Sequence, residues 1–112
     1  MFPIIPANSV TAPSGNQEGI FGFGKTASPT AVTNLVSNSG VVATDTTGVG
    51  TARSGLAACE YGGDKGIFGY GTTDGGSTFQ SMTNLVSNTG VVASDVTGVG
   101  TARYNLAACS FN

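Results

Sequence analysis

With 112 residues the chain can build one core of ordinary size, and it is too short for two independent ones. Four basic and six acidic residues, with no histidine, give a formal net charge of -2. That excludes the clustered Lys and Arg of a nucleic-acid surface and the polybasic patch of a membrane-surface binder. Charged residues make up 9% of the chain, far below the roughly 25% of an average domain. The apolar residues nevertheless recur in short, regular groups, so folded structure is expected rather than disorder.

Residues 1–17, MFPIIPANSVTAPSGNQ, precede the first predicted strand and read as an N-terminal arm. The start lacks a basic region and is interrupted by Pro3 and Pro6, so it does not read as a signal peptide. No stretch approaches the roughly 20 apolar residues of a membrane-spanning helix, so no membrane insertion is expected. The apolar tip, Met1, Phe2, Ile4 and Ile5, either docks against another protein or folds back over its own domain.

Residues 18–112 carry an internal repeat. GIFGFG at 19–24 returns as GIFGYG at 66–71, and residues 33–59 return at 83–109 with five differences in 27 positions. Three residues are added between these blocks, in the loop TTDGGSTFQS at 72–81, where a structural repeat tolerates insertion. Gly, Thr, Ser, Asn and Val dominate without a 3.6-residue stripe, so strands are expected and helices are not. In chain order the second repeat predicts strands at 55–61 (GLAACEY), 65–70 (KGIFGY), 82–87 (MTNLVS) and 91–94 (VVAS). Gly62-Gly63-Asp64 is a tight turn, and Asn88-Thr89-Gly90 is another. The first repeat supplies its second, third and fourth strands from 19–44, and its first strand only from NLAACSF at 105–111.

A period near 50 residues with four strands per unit predicts an all-β fold of two four-stranded propeller blades per chain. The small Ala57-Ala58 and Ala107-Ala108 pairs suit closely approaching inner strands, while Phe21, Phe23, Phe68 and Tyr70 fill wider gaps. The alternative is an irregular glycine-rich sandwich. A blade divided between the chain ends predicts homo-oligomerisation into a ring: a six-bladed homotrimer with C3 symmetry, or eight blades from four chains. In that arrangement Asn105, Leu106, Ala107, Ala108, Cys109, Ser110 and Phe111 of one subunit lie beside Gly19, Ile20, Phe21, Gly22 and Phe23 of an identical neighbour.

ARSGLAACEYGGDKGIFGYG, residues 52–71, resembles the kelch repeat. Arg53 precedes the small-residue strand Leu56-Ala57-Ala58, and Phe68-Gly69-Tyr70-Gly71 ends the next strand with aromatics and glycines. The sequence departs from that pattern in having no glycine doublet there and no tryptophan anywhere. The tandem arrangement also resembles repeats of bacteriophage virion and tail proteins. These resemblances imply a kelch-like propeller and a virion component assembled in the host cytoplasm.

Chemical sites are scarce. Without histidine, a Cys–His pair or a Ser–His base is excluded. Cys59 and Cys109 occupy equivalent places one repeat apart, which reads as two small buried thiols rather than a disulfide. Asp45 and Asp95 read as turn residues that accept backbone N–H groups or face the following arginine. DTTGVG does not match a calcium loop, and GVGTAR matches neither a P-loop nor a dinucleotide fingerprint. No enzymatic activity, cofactor or metal is therefore expected. The expected role is structural assembly, with identical subunits and other virion proteins as partners. The alternative is a lectin-like adhesion module that binds a surface glycan through Asp74 and Phe79 of the enlarged loop together with Tyr104 and Asn105.

Overall fold

A computed structural model describes residues 16–112. The expected N-terminal arm lies outside them except for Asn16 and Gln17. Five strands follow in order: β1 (Gly19–Gly22), β2 (Thr33–Val36), β3 (Ala57–Tyr61), β4 (Lys65–Gly69) and β5 (Thr83–Val86). β1 and β2 form a two-stranded sheet, and β3, β4 and β5 form a three-stranded sheet in that order, all antiparallel. The repeated sequence fixes a repeated register. Gly19 faces Val36 and Gly22 faces Thr33 in the first sheet, as Gly66 faces Val86 and Gly69 faces Thr83 in the second. The β3–β4 hairpin turns at Gly62 and Gly63, whose φ values of 66° and 83° favour glycine.

A bulge follows each of β2 and β5. Val42 bridges Val36, and Thr46 bridges Thr33, so three steps along β2 are matched by four along the returning segment. Val92 with Val86 and Val96 with Thr83 repeat the mismatch. One extra residue on one side breaks a ladder into single bridges. An asparagine amide stitches each bulge. Asn34 Nδ2 donates to the Ala43 carbonyl at 3.2 Å and to Asp45 Oδ1 at 2.8 Å. Asn84 makes the same two bonds, to Ala93 and Asp95.

The core lies between the sheets: Phe23, Phe68, Val86 and Val92 are buried, with Ile20, Ala31 and Leu56 packed against them. The Phe23 and Phe68 rings meet at 5.1 Å between centroids, tilted by 52°. A Cβ on Gly22 would stand 2.7 Å from the Phe68 ring, so only glycine allows this approach.

These findings correct the expected fold class. The chain is all-β, but its sheets are open, with two and three strands; among the described residues there is no four-stranded propeller blade and no ring. The predicted fourth strand, residues 91–94, is reduced to one bridge by the bulge. The predicted first strand of the other blade, residues 105–111, forms no strand or bridge among the described residues; its one backbone bond runs from the Asn105 N–H to the Gly55 carbonyl. The kelch-like architecture and the six-bladed homotrimer or other homo-oligomeric ring are corrected with it, because among the described residues no four-stranded blade exists from which to build one. The likeness to phage virion and tail repeats, drawn from the tandem arrangement of the sequence, is corrected with them. Of the expected aromatic fillers Phe23 and Phe68 are buried, whereas Phe21 is exposed. Both cysteines are free; Cys59 is half-buried and Cys109 is exposed rather than buried.

Candidate functional site

The most developed polar site is the junction between the two sheets, and it is built around Arg53. The chain leaves the first unit through Thr51, Ala52 and Arg53 and is tied to both units by backbone bonds. Gly24 N–H donates to the Arg53 carbonyl at 2.9 Å, and Ser54 exchanges two bonds with Thr72. The Arg53 side chain is thereby directed between the sheets, where it has no solvent exposure. Its Nε donates to the Thr51 carbonyl at 3.1 Å, and its Nη1 donates to the carbonyls of Tyr70 at 3.1 Å and Met82 at 2.9 Å. Nη2 donates to Asn84 Oδ1, and the guanidinium lies 4.9 Å above the Phe23 ring. Burial pushes the Arg53 pKa down, opposed by the charge of Asp95.

Asp95 closes the site from outside. It accepts the Thr51 hydroxyl at 2.6 Å and the Thr51 N–H at 3.1 Å, in addition to the Asn84 amide. Desolvation pushes its carboxyl up, but the Thr51 hydroxyl, the Asn84 amide, the Thr51 N–H and the Arg53 charge together hold it below the usual range. The carboxylate expected to serve its own turn or the following Arg103 instead clamps residues 44 positions earlier.

Lowered folded-state pKa values make a stability contribution that is present above the unfolded pKa and is lost as pH falls through the folded one. Denaturant titrations are therefore expected to show stability declining as pH drops below about 4, where unfolded carboxylates begin to protonate. Asp95→Asn should flatten that decline; an unchanged pH profile in this variant would show that Asp95 does not clamp the junction.

The corresponding groups of the first unit stand open. Asn34 is half-buried and Asp45 exposed, while Asn84 has no exposure. Among the described residues, no donor reaches Asn34 Oδ1 or the Phe23 carbonyl, the counterparts of two of the three atoms that accept from Arg53; the counterpart of the third, the Val32 carbonyl, accepts the Phe23 N–H at 2.9 Å. Arg103, the counterpart of Arg53, is exposed. It lies 4.5 Å above the Tyr70 ring and donates to the Thr101 carbonyl at 3.0 Å, repeating the near half of the Arg53 arrangement without a socket.

The four residues expected to hold a ligand are drawn to one region but not to one chemistry. Asp74 organises its own loop. Its Oδ1 accepts the Thr72 hydroxyl at 2.9 Å and the N–H groups of Gly76, Ser77 and Thr78, and its Oδ2 accepts the hydroxyls of Ser77 and Thr78 at 2.7 Å. The hydroxyls of Thr78 and Ser77, then their backbone N–H groups, hold this carboxyl far below its usual range. Phe79 stacks on Tyr104, with centroids 5.0 Å apart and planes at 17°. Asn105, at φ 55°, donates its N–H to the Gly55 carbonyl at 2.6 Å.

The expected assembly residues divide in two. Gly19, Ile20, Phe21 and Gly22 form β1, and Phe23 enters the core. Leu106 is half-buried, while Ala107, Ala108, Cys109, Ser110 and Phe111 are exposed. Sequence reasoning missed Asn34 and Asn84. The available signal was an asparagine in both copies of TNLV, a residue disfavoured within strands unless its side chain has a task.

A groove of about 780 Å³ opens between the sheets, lined by Ile20, Leu35, Cys59, Ile67 and Val86 among others. Among the described residues no group of three or more His, Cys, Asp or Glu could hold a metal, and no helix is long and apolar enough to cross a membrane. No protein-family model matches the chain, and no curated protein matches it.

Proposed function

We infer that this chain is a non-enzymatic structural assembly protein, a component of a larger particle. One observation carries the reading: two strand-forming elements lack partners that their counterparts possess. β4 is paired on both edges, by β3 and β5, whereas β1 is paired only by β2 among the described residues. Residues 107–111, AACSF, repeat the AACEY of β3, the strand that covers β4, yet have no strand partner among the described residues. An open edge invites strand addition, which provides main-chain hydrogen bonds together with alternate side-chain contacts. The polar groups that the fold brings together are engaged in holding it.

A labelled peptide of residues 104–112 tests the reading. Saturable binding to the full-length chain, absent for a scrambled peptide, is the expected result by fluorescence anisotropy; equal binding of both peptides, or none, counts against it. Carbohydrate binding is the second reading, favoured by the exposed stack of Phe79 on Tyr104. It is the weaker one, because the Asp74 carboxylate already accepts six hydrogen bonds.

A further inference from the structure

We propose that the unit formed by β1 and β2 is a docking site for a second copy of this chain, which inserts Arg103 into the socket of Asn34 and Asp45 and lays residues 107–111 along β1. The proposal rests on the assembly reading above and names its partner. The junction inside the chain is its template, since every element of that junction is present a second time, separated into an unfilled socket and an unused plug.

The socket side shows in paired exposures. Phe68 is 5% exposed where it meets the preceding unit, and its counterpart Phe21 is 64% exposed. Val92 is 8% exposed and its counterpart Val42 is 53%. These positions share sequence and register, so the difference comes from the missing neighbour. The apolar face is bordered by the counterparts of the polar groups that Arg53 and Thr51 engage in the second unit: for Arg53 an asparagine Oδ1 and two main-chain carbonyls, for Thr51 an aspartate.

The plug side is already in shape. Arg103 stacks on Tyr70 as Arg53 stacks on Phe23, and its backbone is tied by Gly71 N–H to the Arg103 carbonyl at 3.0 Å, as Gly24 ties Arg53. Asn105 adopts φ 55° where Gly55 has φ 64°, so the chain turns alike into the segment that becomes β3 in one case and remains unpaired in the other. A second copy thus carries an arginine, a preceding threonine and an AAC segment at the required spacing.

The template fixes the contacts. Arg103 donates to the carbonyls of Phe23 and Val32 and to Asn34 Oδ1 of the other copy, and Thr101 donates to Asp45. Cys59 faces Ile67 and Ala57 faces Gly69 within the chain; Cys109 therefore faces Ile20, and Ala107 faces Gly22, between copies. The interface is head-to-tail, so a pair of copies keeps one plug and one socket free for further partners.

Sedimentation velocity of the full-length chain tests this with two exposed, oppositely placed variants. Arg103→Ala removes the plug and keeps the socket; Asp45→Lys opposes an incoming arginine and keeps the plug. The wild-type chain is expected to associate as concentration rises, and each variant alone to do so at least tenfold more weakly, with unchanged circular dichroism. Mixed together they should form a 1:1 dimer that grows no further, because the only intact plug meets the only intact socket. Variants that associate as wild type does, or a mixture that stays monomeric, would overturn the proposal. If the peptide of residues 104–112 binds and the mixture still fails, this inference is lost while strand addition stands.

Discussion

Arg53→Ala is expected to unfold most of the chain, whereas Arg103→Ala leaves it folded in dilute solution. The two arginines share the local sequence TGVGTAR, so propensity gives no reason for a difference. Their surroundings do. Removing the Arg53 guanidinium leaves the Tyr70 carbonyl and Asn84 Oδ1 without their donor, takes one of two donors from the Met82 carbonyl, and opens a cavity against Phe23. Unsatisfied buried groups cost about 1–3 kcal/mol each. Several at once remove a large part of the roughly 5–15 kcal/mol that stabilises a small domain. Arg53→Lys should recover little, because one ammonium cannot reproduce the planar fork that reaches carbonyls and amide together. Arg103 contributes an exposed stacking contact on Tyr70, worth about 0.5–1 kcal/mol. Urea titration below the concentration of association checks the contrast; equal losses from both alanine variants would show that Arg53 is not the buried link between the sheets.

The Arg53 link fits with a core that the two sheets share. Neither has enough apolar surface of its own: the first unit contributes Phe23, Ile20 and Ala31, the second Phe68, Val86 and Val92. Arg53 lies at their boundary and satisfies carbonyls that the meeting of two sheets would otherwise strand. Its charge is balanced through Asn84 by Asp95 rather than by direct contact, which leaves the aspartate at the rim, where water can still solvate it.

The strands at KGIFG and TNLV were legible because alternation and glycine placement act locally, and the Gly62-Gly63 turn was legible for the same reason. The segment VVAS reads equally well as a strand, and there the sequence misleads. A one-residue slip between Val92 and Val96 leaves composition and alternation intact, and only the Asn84 amide bridging Ala93 and Asp95 reveals it. Closure into a ring depends on the angle between sheets, which no local residue pattern encodes. Asp74 was misread for a different reason. A loop rich in Thr, Ser and Gly beside an aspartate looks like a recognition surface, yet the same hydroxyls and N–H groups turn inward to satisfy that carboxylate. Arg53 and Arg103 were legible as a repeated pair, but not as one buried and one exposed group, since that asymmetry arises only when one unit finds a neighbour and the other does not.

Disulfide trapping tests the complementarity of the two chain segments most directly. In a Cys59→Ser chain carrying Ile20→Cys, Cys109 of one copy should oppose residue 20 of the next, as Cys59 opposes Ile67 within the chain. Directly opposed antiparallel residues lie about 4.5–5.5 Å apart between Cα atoms, within disulfide reach. Mild oxidation is expected to convert nearly all of this variant into a ladder of covalent multimers, with peptide mapping assigning the bridges to residue 20 and Cys109. Phe21→Cys in the same background places the thiol on the opposite face of β1 and should give little product. The account predicts a ladder for position 20 alone; no ladder, or equal ladders from positions 20 and 21, would contradict it.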